Sequence, residues 1–313
     1  MNRIHDLYRP ASVRAHDYEE VEKRLGLHEL APQAERCHDC GIPFCHDFGC
    51  PLGNVIPEFN RAVARGDMRG AWEILSETSF FPEFTSRVCP ALCEGSCTCG
   101  IDEEPVMIRQ TEKLITATAF AEGWVRPVLP PARNGKKVAV IGGGPSGLAA
   151  AEALNRAGFT VTVYEARRRP GGLLRYGIPD FKLAKALIDR RLEIMTAAGI
   201  TFVGDTEVGR DVSAEYLRRQ HDALVVAIGT AAARDLPVPG RELKGIHFAL
   251  EFLRGQNMAN SGELPAAPVS AAGKEVLVIG GGDTGSDCVG TAIRQGAKAV
   301  TQIEIMPRPP AGR

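Results

Sequence analysis

The chain has 313 residues, and its 37 Lys and Arg side chains nearly balance its 38 Asp and Glu side chains, for a formal net charge of −1 at pH 7. This balance argues against a nucleic-acid binder held by bulk charge, and 44% hydrophobic with 24% charged residues argues against disorder. The length predicts about two domains. Eight of the nine cysteines lie between Cys37 and Cys99, whereas glycines gather from Gly142 onward.

The termini and the hydropathy predict where the protein resides. No apolar run approaches the roughly 18 residues that span a bilayer, and Met1 to Leu30 mixes charged residues without a signal-peptide core. We therefore expect a cytoplasmic protein with no membrane partner, in which clustered thiols stay reduced and serve as metal ligands rather than disulfides. The chain stops at Arg313, just after an apolar run that is typical of a strand, so we also expect it to be truncated.

Residues 1–125 are predicted to form an all-α domain rich in loops. No strand-like alternation occurs in this region, and a Pro-rich linker follows at residues 126–135. Helical spacing of apolar residues predicts its helices. The predicted helices are Asp17 to Leu27, Ile56 to Ala64, Met68 to Leu75 and Val106 to Ala121.

The chain after the linker repeats a strand–helix–strand pattern, which predicts parallel sheets. We divide it into one Rossmann-like unit at 136–240 and a second, incomplete one at 241–313. A further buried strand is expected in the first unit. The predicted elements are strands Lys137 to Ile141, Thr160 to Tyr164, His221 to Ile228, Glu275 to Ile279 and Ala299 to Met306, with a helix over Ser146 to Ala157.

The cysteines fall into two crowded groups. Four thiolates within one segment suit an iron–sulfur cluster or a zinc ion, and the spacing leaves the metal open; plain core cysteines are the third alternative. Glu112, on the helix that follows, is a further candidate ligand, although the residues alone favour a solvated helix carboxylate. Cys99 and Cys288 are additional. The groups are Cys37-x2-Cys40-x4-Cys45-x4-Cys50 and Cys89-x3-Cys93-x3-Cys97-x-Cys99.

The first glycine-rich motif lies between a predicted strand and a predicted helix, the context that a dinucleotide-binding GxGxxG requires. Its run is Gly142-Gly143-Gly144-Pro145-Ser146-Gly147. Gly142 permits the tight turn, Gly144 lets a pyrophosphate approach the helix N-terminus, and Gly147 lets helix and strand pack closely. Glu165 ends the next strand and is predicted to accept hydrogen bonds from ribose hydroxyls.

A second copy of the motif is Gly280-Gly281-Gly282-Asp283-Thr284-Gly285. Arg308 and Arg313 follow the next strand, where a cation can pair with the 2′-phosphate of NADPH; solvated basic residues are the alternative. Two fingerprints predict two dinucleotides, a flavin and a nicotinamide. Gly172 and Leu173, together with Gly229, lie where backbone could approach a flavin ring, although ordinary turns explain these positions as well.

Several longer motifs resemble those of the small (beta) subunits of NADPH-dependent glutamate synthases, and the resemblance runs through essentially the whole chain. It implies an α+β multidomain fold, in which an N-terminal all-α iron–sulfur domain precedes Rossmann-like α/β units for FAD and NADPH, with the second unit incomplete. The motifs are RCHDCGIPFC from Arg36, CPLGN from Cys50, FPEFT from Phe81, GGLLRYGIPDFKL from Gly171, DLPVPGREL from Asp235 and GGGDTGSDCVG from Gly280.

The resemblance also implies the cofactors and their ligands, namely FAD, NADPH and two [4Fe-4S] clusters. One cluster would be held by Cys37, Cys40, Cys45 and Cys97. The other would be held by Cys50, Cys89 and Cys93, with Glu112 as fourth ligand.

The implied function is electron input. The chain would oxidise NADPH through FAD and pass electrons through the clusters to a large subunit that makes glutamate from glutamine and 2-oxoglutarate. No side chain is assigned a catalytic acid or base role. Two alternatives stay open: a related electron-input subunit of a pyrimidine reductase or ferredoxin-linked transhydrogenase, and a zinc-stapled nucleotide-binding scaffold without turnover.

Overall fold

The structure, a computed structural model, describes residues 2–230 and 232–307. Its contacts divide the chain into two compact units. Unit 1 comprises Met1–Arg9 and Val21–Val128, and unit 2 comprises Pro10–Glu20 and Leu129–Arg313. Unit 2 begins with a short helix, α1 (Ala11–Arg14). The domain boundaries expected from the sequence stay predictions. Among the described residues, no helix is long and apolar enough to cross a membrane.

Unit 1 is helical, as the sequence predicts, and within its described residues the one β contact is an isolated bridge between Tyr8 and Glu22. The helix expected at Ile56 to Ala64 is confirmed to the residue. A five-residue π-helical turn (Cys45–Gly49) and a short 3-10 turn (Thr98–Gly100) carry cysteines between the longer helices. The helices are α2 (Leu27–Glu35), α3 (Ile56–Ala64), α4 (Met68–Thr78), α5 (Pro82–Val88), α6 (Leu92–Gly95) and α7 (Ile108–Ala121).

The helix predicted from Asp17 to Leu27 is wrong. The segment is extended near its middle, because Arg9 donates its backbone N–H to Val21 at 2.9 Å and Lys23 donates to Leu7 at 2.8 Å. These bonds satisfy the backbone across two chain segments rather than along a helix. Gly26 is instead the N-cap of α2, where Glu29 accepts a hydrogen bond from the Gly26 N–H at 2.8 Å.

The core of unit 1 joins apolar helix faces to cysteines. Ile56, Phe59 and Val63 occupy positions i, i+3 and i+7 of α3 and are fully buried, so one face of the helix lies in the core. Cys93 and Cys99 belong to the same buried cluster, and Cys37, Cys45, Cys50 and Cys97 pack against it. Residues able to bind metal are therefore part of the packing that holds the unit together.

Unit 2 contains a parallel four-stranded sheet in the order β3-β2-β1-β4, which confirms the predicted Rossmann-like α/β class. Val138 to Ile141 are buried in the central strand, and α8 packs against its sheet. β-branched residues favour such a strand because they fill a surface covered on both faces. The elements are β1 (Lys137–Ile141), α8 (Pro145–Arg156), β2 (Thr160–Tyr164), α9 (Gly172–Tyr176), α10 (Lys185–Ala197), β3 (Thr201–Val203), α11 (Ala214–Gln220) and β4 (Ala223–Val226).

The second strand–helix–strand motif forms a two-stranded parallel sheet. The strand expected at His221 to Ile228 is present as β4, but it is not buried, and Val226 and Ile228 are exposed. The physical reason is that β4 is an edge strand, which has β1 as its one neighbouring strand in this sheet. Ile279 is likewise exposed. The elements of this part are α12 (Ala249–Asn260), β5 (Glu275–Ile279), α13 (Asp283–Arg294) and β6 (Ala299–Ile303).

The segment between α9 and α10 packs against α13. Lys182 Nζ lies 2.6 Å from Asp287 Oδ1, and the Arg294 guanidinium lies 3.8 Å from the centroid of the Phe181 ring. Phe181 reaches Gly290, where an added Cβ would lie 2.8 Å from its Cζ. These contacts give a packing role to parts of two long sequence motifs, the one that begins at Gly171 and the one that begins at Gly280.

We expect the substitution Gly147→Ala to destabilise unit 2 by about 1–3 kcal/mol, because over-packing a close backbone contact forces the backbone to shift. A Cβ at Gly147 would lie 1.9 Å from the Gly142 carbonyl oxygen. Gly95→Ala is the control, since a Cβ there meets nothing within 4 Å. Thermal unfolding measures both. Equal melting temperatures for G147A and wild type would contradict the close packing of α8 on the glycine turn.

We expect the buried Lys185 to make stability depend on pH. Its ammonium donates to the carbonyls of Ile178 at 2.6 Å and Leu183 at 3.0 Å, and burial lowers its pKa from 10.5 to about 8. Between these values the unfolded chain binds more protons, so the stability of the wild type should rise with pH relative to Lys185→Met, by on the order of 3 kcal/mol. Melting temperatures across this window test it; a constant difference between the two proteins would contradict it.

Candidate iron–sulfur and dinucleotide sites

The structure gathers the clustered cysteines around two cavities, both in unit 1. The first cysteine cavity is lined by Cys37, Cys40, Cys45 and Cys97, with Cys99 beside them, and measures about 20 Å³. The second cysteine cavity is lined by Cys50, Cys89, Cys93 and Glu112 and measures about 320 Å³. Each cavity thus draws residues from both sequence groups. The division matches the two ligand sets implied by the resemblance; that these residues bind metal stays a prediction.

The thiols of the first cysteine cavity lie close enough to influence one another. Burial raises the pKa of Cys45 to about 12, and the neighbouring thiolates of Cys97, Cys37 and Cys40 add to the rise. Thr98 Oγ1 lies 3.2 Å from Cys40 Sγ. A cation placed among these sulfur atoms would favour the thiolate form, which is how a metal cluster changes thiol chemistry.

Cys99 differs from its neighbours in its surroundings. Its thiol is buried, and the Arg36 guanidinium lies 3.8 Å from its Sγ. Arg36 also donates to the Glu104 carbonyl and pairs with Glu103 at 3.3 Å, so it fixes the loop that carries Cys99. Burial raises the pKa of Cys99, and Arg36 opposes that rise. Cys99 therefore has a structural partner of its own.

The second cysteine cavity contains a buried carboxylate. Glu112 is 6% exposed, so a solvated helix carboxylate is a wrong description of it. Asn54 Nδ2 donates to Glu112 Oε1 at 3.0 Å, and Asn54 Oδ1 accepts from Thr78 at 2.8 Å. Burial raises the pKa of Glu112 to about 7, against the lowering effect of the Asn54 hydrogen bond. Burial likewise raises the pKa of Cys93, and Glu112 is the largest charged contributor.

A network of ion pairs holds the helix that carries Glu112. The Arg109 backbone N–H donates to Glu94 at 3.0 Å, and the Arg109 guanidinium pairs with Glu22 at 2.5 Å. Lys113 also reaches Glu22, at 2.9 Å. Burial would raise the pKa of Glu22, but Arg109 and Lys113 outweigh that effect and lower it. α7 is thereby anchored on both sides of residue 112.

The donor sets fit iron–sulfur clusters. Cysteine thiolates are the usual ligands, and each cavity presents either four cysteines or three cysteines and a carboxylate. Across the described residues, no three His, Cys, Asp or Glu side chains stand close enough to hold one metal ion. The cysteines instead line cavities, and the backbone N–H of Ala91, which donates to Cys89 Sγ at 3.4 Å, supplies a hydrogen bond typical of such ligands.

The first glycine-rich motif forms the turn between β1 and α8. Gly142 has φ +103°, and a Cβ there would lie 2.3 Å from the Ala227 carbonyl oxygen. Gly144 is the N-cap of α8, followed by Pro145 and the exposed Ser146, so free N–H groups face outward. Gly143 donates to Glu165 at 2.8 Å. Glu165, the predicted ribose acceptor, therefore stabilises the glycine turn through this hydrogen bond.

The predicted flavin-contacting turns differ in how they are placed. Gly172 meets the first fingerprint, since its Cβ would lie 2.7 Å from Gly144 Cα. The next residue, Leu173, is exposed. Gly229 has φ +67° with nothing within 4 Å of an added Cβ, so it is a turn in open surroundings. The structure thus brings Gly172 to the first glycine-rich turn, whereas an added Cβ at Gly229 would lie in open space among the described residues.

The second motif repeats this construction. Gly280 has φ +115°, and a Cβ at Gly285 would lie 2.2 Å from the Gly280 carbonyl oxygen. Gly281 donates to Glu304, which ends the next strand as Glu165 does in the first copy. Gly282 is the N-cap of α13, and Asp283 and Thr284 open that helix on the surface. Arg308 and Arg313 lie outside the described residues.

Sequence reasoning missed the polar residues that support the two cysteine cavities. Asn54, Arg36 and Arg109 are not assigned a role by spacing, because their partners come from distant parts of the chain. Asn54 ends the motif that begins at Cys50, and an asparagine in the loop that follows a cysteine was the available signal. For Arg109 the sequence carries no signal, since a basic residue on a helix is ordinarily solvated.

Comparison with known proteins follows the same division of the chain. Residues 14–124 match the family described as dihydropyrimidine dehydrogenase domain II, 4Fe-4S cluster. Residues 100–215 and 136–312 match the family described as pyridine nucleotide-disulphide oxidoreductase. These matches confirm the predicted fold class and favour an iron–sulfur domain over a zinc-stapled one.

Individual relatives cover nearly all of this chain. It is 54% identical over 310 residues to the glutamate synthase [NADPH] small chain of Mycobacterium tuberculosis, aligning 97% of this chain with 63% of that protein. It is 48% identical over 313 residues to the glutamate synthase [NADH] of Saccharomyces cerevisiae, aligning 99% with 15%. Among solved structures, FprA from Mycobacterium tuberculosis is similar at a TM-score of 0.46 and 25% identity, covering 53% of this chain and 43% of that one. The chain thus spans less than two thirds of the small chain that it matches.

We expect two neighbouring cysteines to respond differently to substitution. Cys97 faces Cys45 across the first cysteine cavity, whereas Cys99 faces Arg36. Cys97→Ser should therefore lose about half of the bound iron after anaerobic reconstitution, and Cys99→Ser should retain nearly all of it. Iron and sulfide analysis measures both. Full iron content in C97S, or equal loss in both variants, would contradict the assigned ligand set.

Proposed function

The chain belongs to the pyridine nucleotide-disulphide oxidoreductase family, and from that membership we propose that it is the electron-input part of a glutamate synthase. It would take electrons from NADPH and deliver them to a large subunit that makes glutamate from glutamine and 2-oxoglutarate. The observation that carries the proposal is the presence, in one chain, of two cysteine cavities and two dinucleotide fingerprints.

The residues divide the work between holding clusters and holding nucleotides. We assign the first cysteine cavity and the second cysteine cavity to one [4Fe-4S] cluster each, with Glu112 as the carboxylate ligand. The glycine turns at Gly142 and Gly280 would bind FAD and NADPH through the free N–H groups of α8 and α13. When bound, FAD supplies the exchange between a two-electron hydride and the single electrons that the clusters carry.

The partner and the location follow from the same residues. Exposed apolar side chains line the cysteine cavities, among them Phe44 at 48% and Leu92 at 54% exposure, which supports a protein partner at that surface. We assign this partner as the large subunit of glutamate synthase. We place the protein in the cytoplasm, because thiols kept reduced can bind iron.

A second candidate is an electron-input unit of a pyrimidine reductase. The match of residues 14–124 to the family described as dihydropyrimidine dehydrogenase domain II favours it. The 54% identity over 310 residues to a glutamate synthase small chain favours the first candidate, because it extends over both units. Electron delivery to purified large subunit, compared with delivery to a pyrimidine reductase, distinguishes the two.

We expect the reconstituted chain to show flavin absorption bands over a broad iron–sulfur background under anaerobic conditions. One addition of NADPH should bleach the flavin bands, because the nicotinamide is a hydride donor. NADH added to a second sample measures the preference between the two nicotinamides. The visible absorption spectrum before and after each addition is the measurement.

Two outcomes would count against parts of the proposal. An iron–sulfur background without flavin would leave the cluster assignment standing and remove FAD binding from this chain. A featureless spectrum from protein that contains zinc would overturn the electron-input function and favour the zinc-stapled scaffold.

A further inference from the structure

Asn60 is a polar side chain in the middle of an apolar helix face. It lies on α3 between the buried Phe59 and Val63, and it is fully buried itself. Among the described residues, neither its Nδ2 nor its Oδ1 has a hydrogen-bond partner. Buried amides in folded proteins are nearly always paired, because leaving a donor or acceptor unpaired costs free energy. The position therefore calls for a partner that pairs with this amide when the neighbouring site is filled.

The surroundings identify that partner. Pro57, one turn before Asn60 on α3, lines the first cysteine cavity, and residues three apart share a helix face. Cys37 lines the same cavity and packs against the buried cluster to which Phe59 and Val63, the neighbours of Asn60 on α3, belong. Both observations direct the amide toward the sulfur atoms of the first cysteine cavity.

The second cysteine cavity shows the contrasting case. Asn54, six residues earlier and also buried, has both amide atoms paired, with Glu112 and with Thr78. The Asn54 amide is therefore complete without any bound group. The Asn60 amide lacks such hydrogen bonds among the described residues. The two asparagines therefore differ, although each lies near one of the two cysteine cavities.

We propose that Asn60 is a positioning residue that donates an Nδ2–H···S hydrogen bond to Cys37 of the first cluster and raises the reduction potential of that cluster. A reduced cluster carries one more negative charge than the oxidised cluster, and a donor to its sulfur stabilises the extra charge. The inference rests on the proposed function, since it requires a cluster in the first cysteine cavity.

The experiment is a redox titration of the reconstituted 313-residue chain, followed by absorbance and electron paramagnetic resonance. Asn60→Leu removes the donor at similar volume, and Asn60→Asp removes it and adds a negative charge. Both should lower the midpoint potential of the first cluster, N60D by more, and leave that of the second cluster unchanged. Asn60→Gln keeps an amide donor and should retain a potential nearer to that of the wild type.

Asn155→Leu is the matched control. Asn155 is a fully buried amide in unit 2 whose atoms are paired, with Ala198 at 3.1 Å and Arg133 at 2.8 Å. Its loss should lower the melting temperature of the chain without moving either potential. If Asn60 had only a structural role, N60L would likewise lower the melting temperature without moving either potential. A hydrogen bond from Asn60 to the cluster predicts a shift in the potential of the first cluster.

The outcomes separate the two hypotheses. Wild-type protein without iron–sulfur absorption would overturn the proposed function. Full clusters with unchanged midpoints in N60L and N60D would overturn the role of Asn60 alone. If neither variant assembles a cluster, wild-type protein with 15N-labelled asparagine decides: a 15N coupling to the reduced first cluster supports the hydrogen bond, and its absence overturns it.

Discussion

The arrangement of unit 1 depends on the interleaving of its cysteines. Cys45 lines the first cysteine cavity and Cys50, a few residues later, lines the second, whereas Cys97 returns to the first after Cys93 has lined the second. Two chain segments separated by about forty residues in sequence must therefore meet twice, at two adjoining places. Short turns satisfy this constraint: a π-helical turn separates Cys45 from Cys50, and a residue with φ +58°, Ala91, redirects the chain before Cys93.

The same constraint explains why charges are buried in unit 1. Glu112 has to reach its cavity from the middle of α7, so the helix must be held from both sides. Glu22 accepts from Arg109 and Lys113, one turn apart on α7, while Glu94 accepts from the Arg109 backbone. Removing one member of such a buried set leaves an unpaired charge, which is more costly than losing the pair as a whole. The network thus fixes the orientation of α7 more strictly than apolar packing would.

How far the sequence predicts this structure depends on the range of the interaction concerned. Ile56–Ala64 is predictable because its apolar spacing and its core face agree. β1 is predictable because its last four residues, Val138 to Ile141, are all apolar. The segment from Asp17 has an equally good helical pattern, but backbone pairing with residues 7–9 prevails. For Asn54 the sequence offered only its place in a cysteine-containing loop, and for Asn60 it offered nothing, since no spacing rule links an asparagine on a helix to a distant cysteine. Their environments arise only when the distant cysteines have met.

The two glycine-rich motifs show how one local solution can serve two nucleotides. In each copy the acidic residue at the end of the second strand accepts from the backbone N–H of the second glycine, Glu165 from Gly143 and Glu304 from Gly281. Glu304 also accepts from the N–H groups of Ile305 and Met306, and these hydrogen bonds lower its pKa. A carboxylate held as an anion at that place repels a 2′-phosphate. A preference for NADPH in the second copy therefore requires cations beyond the strand that outweigh Glu304, and Arg308 follows it by four residues. The two motifs thus share the geometry of the glycine turn. The charges that would discriminate between nucleotides lie after the second strand rather than within the glycine turn.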